Sequence, residues 1–100
     1  MAYEVALAAL SDPTRRLVFA RILGAPRPVA AIAEGLPVSR PAVSQHLKVL
    51  KEAGLITERR SGTRRLYAAN PQALGELRAA IEAMWQEALG GMAAALEQER

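Results

Sequence analysis

The stretch Ser39-Arg40-Pro41-Ala42-Val43-Ser44-Gln45-His46-Leu47-Lys48-Val49-Leu50-Lys51-Glu52-Ala53-Gly54 decides the fold. Ser39 is placed to cap a helix, because its hydroxyl accepts from an orphan N–H of the first turn, and Gly54 suits the left-handed residue that closes one. Stepping about 100° per residue between them gathers Val43, Leu47 and Leu50 in a narrow arc, with Ala42, His46, Val49 and Ala53 continuing it. That arc is the predicted buried face. Arg40, Pro41, Ser44, Gln45, Lys48, Lys51 and Glu52 fall on the other side, which carries positive and hydrogen-bonding groups and almost no bulky apolar ones.

Just upstream, Val29 to Glu34 reads as a short helix with Val29, Ile32 and Ala33 facing inward, and Gly35-Leu36-Pro37-Val38 forces a tight turn. Short helix, four-residue turn and capped helix outline a helix-turn-helix. Further back, Ser11-Asp12-Pro13 opens a helix that runs to about Leu23 and stops at Gly24. Its Leu17, Phe19, Ala20, Ile22 and Leu23 are expected in the core, with Arg15, Arg16 and Arg21 toward water or a partner. Tyr3, Leu7 and Leu10 form the apolar stripe of a first helix of about two turns.

Downstream, Ile56 to Arg60 and Arg64 to Ala68 are short candidate strands joined by Ser61-Gly62-Thr63, a hairpin carrying Arg59, Arg60, Arg64 and Arg65. Asn70-Pro71 opens the last helix, in which Leu74, Leu77, Ile81, Met84 and Ala88 keep the alternating three- and four-residue spacing of a packing seam. Gly90-Gly91 either weakens that helix or lets another backbone come close. The expected fold is mainly α with one small β-hairpin: a helix-turn-helix and a hairpin among five helices in a single domain, residues 1–100.

Composition agrees and narrows the function. One hundred residues allow one domain, and 21 of the 51 apolar residues are alanine, which leaves a thin core for a monomer. With no Cys there is no disulfide framework, thiolate metal site or thiol chemistry, and one His builds no cluster. His46 lies on the apolar side, where a half-buried, hydrogen-bonded side chain is expected rather than a ligand or base. Asp12 is the only Asp, so no nucleophile, base and acid assemble, and no enzyme is expected. The longest run without Lys, Arg, Asp or Glu is the ten residues Leu66 to Gly75, too short for a membrane span. With no signal-peptide pattern, the expected compartment is the cytoplasm.

The net charge of +3 is unevenly spread. Residues 15–65 hold eleven Lys and Arg against three Glu, while both flanking segments are acidic. Contact with a polyanion therefore belongs to the middle of the chain. A major groove admits one helix, Arg donates to guanine and Gln pairs with adenine. Arg40, Ser44 and Gln45, beside Ser39 and Pro41 at the helix start, are the candidate readers of double-stranded DNA. Lys48 and Lys51 lie further along, toward phosphate. Arg59, Arg60, Arg64 and Arg65 suit a phosphate strand or a minor groove, although strand alternation sends Arg59 and Arg60 to opposite faces. Two alternatives stay open: the arginines guard a sheet edge against aggregation, or the basic face binds another protein.

Leu10-Ser11-Asp12-Pro13-Thr14-Arg15-Arg16, the run from Ser39 to Leu50, Glu52-Ala53-Gly54-Leu55-Ile56 and Arg60-Ser61-Gly62 resemble the ArsR family of bacterial transcriptional regulators over nearly the whole chain. The resemblance implies a winged helix-turn-helix homodimer that binds a palindromic operator and represses transcription. It implies a dimer interface on the first and last helices, where Tyr3, Leu7, Ile81, Met84, Trp85 and Ala88 lie. Many relatives sense metals through cysteines on the helix before the recognition helix, or through His and carboxylates on the last one. Here the first position reads Pro28-Val29-Ala30-Ala31-Ile32-Ala33-Glu34, and the last helix has no His. No metal site and no cofactor are expected, and no residue pattern specifies an effector.

Overall fold

Five helices and one hairpin follow each other along residues 2–99, the part of the chain that the computed structural model describes. They are α1 (Ala2–Ala9), α2 (Pro13–Ala20), α3 (Val29–Ala33), α4 (Arg40–Glu52), β1 (Ile56–Ser61), β2 (Arg64–Ala69) and α5 (Pro71–Gln98). The caps read from the sequence form. Asp12 accepts from the Arg15 N–H, Ser39 from that of Ala42 and Asn70 from that of Gln72, and Gly54 takes a positive φ of 79°.

Helices α2 and α3 pack on α4, burying Val18, Phe19, Ile22, Ile32, Val43, Leu47 and Leu50 together with Leu55 and Ile56. Two expectations for α2 need correction. The helix ends at Ala20, because the next N–H groups turn back to carbonyls three residues earlier and tighten the chain into a turn. The face on α4 is then Val18, Phe19 and Ile22, and Leu17, Ala20 and Leu23 are exposed. In α1 it is Ala6 and Ala9 that are buried, while Leu7 is exposed and Tyr3 and Leu10 are half-buried. Small side chains let that helix lie close to the core, so its larger ones point elsewhere.

Of the arginines expected toward water or a partner, Arg16 is exposed and Arg15 and Arg21 are half-buried, and all three also bind carbonyls at helix ends. Arg15 donates to the Ala9 carbonyl at 3.0 Å and Arg16 to that of Leu10 at 2.9 Å, so both serve the C-terminal end of α1. Arg21 donates to the Glu34 carbonyl at 2.7 Å, just past α3. A guanidinium is favoured there because a helix leaves its last carbonyls unpaired and partly negative.

The hairpin pairs Ser61 with Arg64 and leaves Gly62 and Thr63 as a two-residue turn. Gly62 has φ of 65° and no described non-glycine residue has positive φ, the pattern of a type II′ turn. Two strands alone are marginal in water. A backbone bridge steadies them: Arg27 and Tyr67 exchange N–H to carbonyl bonds of 2.9 Å, tying β2 to the segment before α3.

Helix α5 starts on the domain and leaves it. Leu77 is its last buried residue, and every described residue from Ile81 onward is exposed. Twenty-eight residues make a rod of about 42 Å. The radius of gyration is accordingly 17.8 Å, against about 13 Å for a compact chain of this length. Gly90 and Gly91 leave the helix continuous. No helix among the described residues is long and apolar enough to cross a membrane.

Candidate nucleic-acid interface

Burial of Val43, Leu47 and Leu50 fixes the rotation of α4 and so fixes what it presents. Arg40, Pro41, Ser44, Gln45, Lys48, Lys51 and Glu52 are exposed, and so is Ser39 at the cap. His46 is half-buried as expected, but its solvent-shielded Nδ1 meets no hydrogen-bond partner, so the expected satisfied side chain is only partly realised.

The hairpin rises beside this face. A concavity of about 430 Å³ gathers Arg40 and Ser44 from α4 with Arg64, Arg65 and Tyr67 from β2. A second cleft of about 200 Å³ runs between helix and hairpin, lined by Ser44, Lys48, Lys51, Glu58, Arg65 and Tyr67. Gln45 lines neither and is exposed to solvent. Arg60 lies opposite Arg65 and Arg59 opposite Leu66. Directly opposed residues share a face, so alternation puts Arg60 and Arg65 on one side of the hairpin and Arg59 and Arg64 on the other. The four arginines do not form one cluster.

One carboxylate organises the cleft. Glu58 accepts from Lys51 Nζ at 2.7 Å through Oε2, and from Arg65 Nη1 and the Tyr67 hydroxyl, each at 3.2 Å, through Oε1. The lysine hydrogen bond is the main reason that the Glu58 carboxyl titrates below its ordinary range. Burial, and then the Glu58 charge, push the Tyr67 phenol above its own. Lys51, read from the sequence as facing phosphate, is thus paired within the chain. Glu58 and Tyr67 were not among the candidates, yet counting back from a two-residue turn at Gly62-Thr63 places them opposite each other.

Away from the cleft residues, α1 and α5 pack together. Leu7, Ile81, Met84, Trp85 and Ala88 are exposed, with Trp85 at 59%, and Leu89, Met92 and Leu96 extend the apolar surface along the same helix. Tyr3 is half-buried at the edge of a cavity between α1 and α5. Among the described residues no group of three His, Cys, Asp or Glu is arranged to hold a metal.

Helix-turn-helix, hairpin wing and basic cleft define the class: a winged-helix DNA-binding regulator. Residues 10–59 match the model of a family described as a helix-turn-helix domain. The chain is 48% identical to the HTH-type transcriptional regulator Rv2034 of Mycobacterium tuberculosis over 91% of its own length and 85% of that protein. An ArsR-like transcriptional regulator from Rhodococcus sp. RHA1 superposes with a TM-score of 0.84 at 30% identity, covering 93% of this chain and 88% of that one. The homodimeric winged helix-turn-helix domain of Mb0332 from Mycobacterium bovis superposes with a TM-score of 0.68 at 27% identity, covering 88% and 82%. The chain belongs to the ArsR family of winged helix-turn-helix transcriptional regulators. It regulates transcription by binding DNA and is not an enzyme.

Proposed function

We propose that the chain is a cytoplasmic homodimeric repressor that occupies a palindromic operator and excludes polymerase by occlusion. The observation that carries this is the presence of two unpartnered surfaces on one domain: the basic cleft of α4 and the wing, and the apolar length of α5 beyond Leu77. A second copy is the occupant whose own α5 offers the same surface, and twofold symmetry then sets two recognition helices about one DNA turn apart. The homodimeric state of the Mb0332 domain supports the same arrangement. In this reading residues 1–100 are one DNA-binding domain with dimerisation helices at both ends, and Tyr3, Leu7, Ile81, Met84, Trp85 and Ala88 meet the partner.

Arg40, Ser44 and Gln45 read base edges, with Ser39 and Pro41 setting the helix start against the duplex. Lys48 and the wing residues Arg59, Arg60, Arg64 and Arg65 bind the backbone. Selection of bound sequences from a random duplex pool tests the scheme as a whole. It should return two inverted half-sites with centres about 10 bp apart. A single unsymmetrical half-site would remove the dimer, and no enrichment at all would favour a protein-binding role for the basic face.

A further inference from the structure

The cleft between α4 and the wing contains one group of the wrong sign for its task. Among the described residues Glu58 is the only carboxylate lining it, amid Lys48, Lys51 and Arg65. A charge beside a DNA-binding groove repels phosphate unless it does something else there. Its side chain is only 17% exposed, whereas those of Lys51 and Arg65 are 53% and 61% exposed. The anion therefore lies beneath and the two cations above it, on long side chains that reach either inward or outward. Tyr67 fixes the same Oε1 from the strand opposite, and its own backbone is tied to Arg27. Lys48, in the same cleft, has no acidic partner among the described residues and is free for phosphate from the start.

We propose that Glu58 is a specificity-determining positioning residue: its carboxylate holds Lys51 and Arg65 in the DNA-free chain as a substitute for phosphate, and yields them to the duplex only where the recognition helix is fully seated. This rests on the reading of α4 and the wing as the DNA surface. On an arbitrary duplex the base contacts are missing, the backbone stays further out, and both cations remain on Glu58. On the matching site, seating brings a phosphate to the mouth of the cleft and the cations change partner. Glu58 thereby removes up to two counterion-releasing contacts from non-specific binding and leaves them available to specific binding.

The test compares wild type and Glu58→Gln on a 20-bp random-sequence duplex and on the duplex selected from the pool, across a range of salt. The glutamine keeps the shape and the Tyr67 contact and loses the charge. It should bind the random duplex about 3- to 10-fold tighter near 0.1 M salt, with the log–log salt slope steeper by about one to two units. The selected duplex should gain less, so discrimination falls. Glu58→Asp, which keeps the charge, should retain the wild-type slope. Wild-type affinity and slope in the glutamine variant would overturn the proposal.

Should that variant fold poorly, carbon-detected NMR of the wild-type Glu58 carboxyl gives an independent reading. Its titration midpoint should rise toward the ordinary glutamate range when the selected duplex saturates the protein, and a midpoint that stays put overturns the proposal. Arg64→Ala separates the two levels of argument. If it leaves duplex binding intact, the wing surface itself is wrong; if it weakens binding while Glu58→Gln behaves as wild type, only the role of Glu58 fails.

Discussion

Asn70 joins the end of the recognition helix to the beginning of the long one. Its Nδ2 donates to the Gly54 carbonyl at 3.0 Å, its backbone N–H donates to the Leu55 carbonyl at 2.8 Å, and its Oδ1 caps α5 through the Gln72 N–H. One side chain thus serves α5 and the residue that closes α4. Asn70→Ala removes the cap and one hydrogen bond, so the domain should lose about 1–2 kcal/mol. Urea unfolding checks this; an unchanged midpoint would mean that water replaces both bonds without loss.

The outer face of α5 separates assembly from folding. Ile81 is 48% exposed and lies beyond the last buried residue of that helix, Leu77. Ile81→Glu should leave the α2–α4 core intact, by near-ultraviolet dichroism and denaturant midpoint at low concentration. It should weaken dimerisation about 100-fold, equivalent to about 3 kcal/mol at a central interface position. Sedimentation velocity across a concentration series reads the change, and an unchanged dimer would place the interface elsewhere.

The two kinds of DNA contact proposed for Gln45 and Arg64 should fail differently. Gln45→Ala should relax preference at one base pair of each half-site, by about 1–3 kcal/mol of discrimination, with modest change elsewhere. Arg64→Ala should weaken all sequences alike and reduce the salt slope by about one unit. Affinities over a randomised operator library, measured at several salt concentrations, distinguish the patterns. Intact preference in the first variant would remove Gln45 from the base-reading set.

Acid should loosen the wing before it unfolds the helices. Because the Glu58 carboxyl is lowered in the folded chain, its contribution is complete above the ordinary value of 4.5 and is lost as pH falls through the lower folded value. At the other end, the raised Tyr67 phenol contributes fully below 10.0 and loses its contribution as pH rises beyond that, through its folded value. Near neutral pH neither contribution changes. The stability difference between wild type and Glu58→Gln should therefore be flat around pH 7 and shrink in acid. Asp12 titrates low in both proteins, mainly through the Arg15 N–H, and cancels from the difference. A difference independent of pH down to 3 would separate Glu58 from the wing's anchoring.

What the sequence disclosed follows from how local each signal is. Ser39, Gly54, Asn70 and Pro71 act within a turn of their own positions, so the starts of α4 and α5 were legible to the residue, and the end of α4, expected at Ala53 and found at Glu52, to within one. The hairpin was legible as two strands, but its register depended on whether Ser61 belonged to the turn. Pairing Ser61 with Arg64 is what brings Glu58 to Tyr67, and reading Ser61-Gly62-Thr63 as the whole connection concealed it. The core-facing side of α1 was not read from the sequence, because its large side chains draw attention to the stripe of Tyr3, Leu7 and Leu10, whereas the buried residues are Ala6 and Ala9, which permit the closer approach. Counting cations along the chain could not say that Arg15, Arg16 and Arg21 reach carbonyls at helix ends, since those carbonyls are brought near only by the turns between helices.

The long free run of α5 has a further consequence, for amide protons. A helix hydrogen bond is protected only as far as opening it exposes something buried, and beyond Leu77 a solitary chain has little to expose. Deuterium should enter residues 82–98 within the earliest time points at high dilution and more slowly as the chain is concentrated. Leu47 and Leu50, at the centre of the core, hold their protons until global opening. The end of the rod is thus an unlabelled gauge of association, readable residue by residue in the same spectrum that reports the fold.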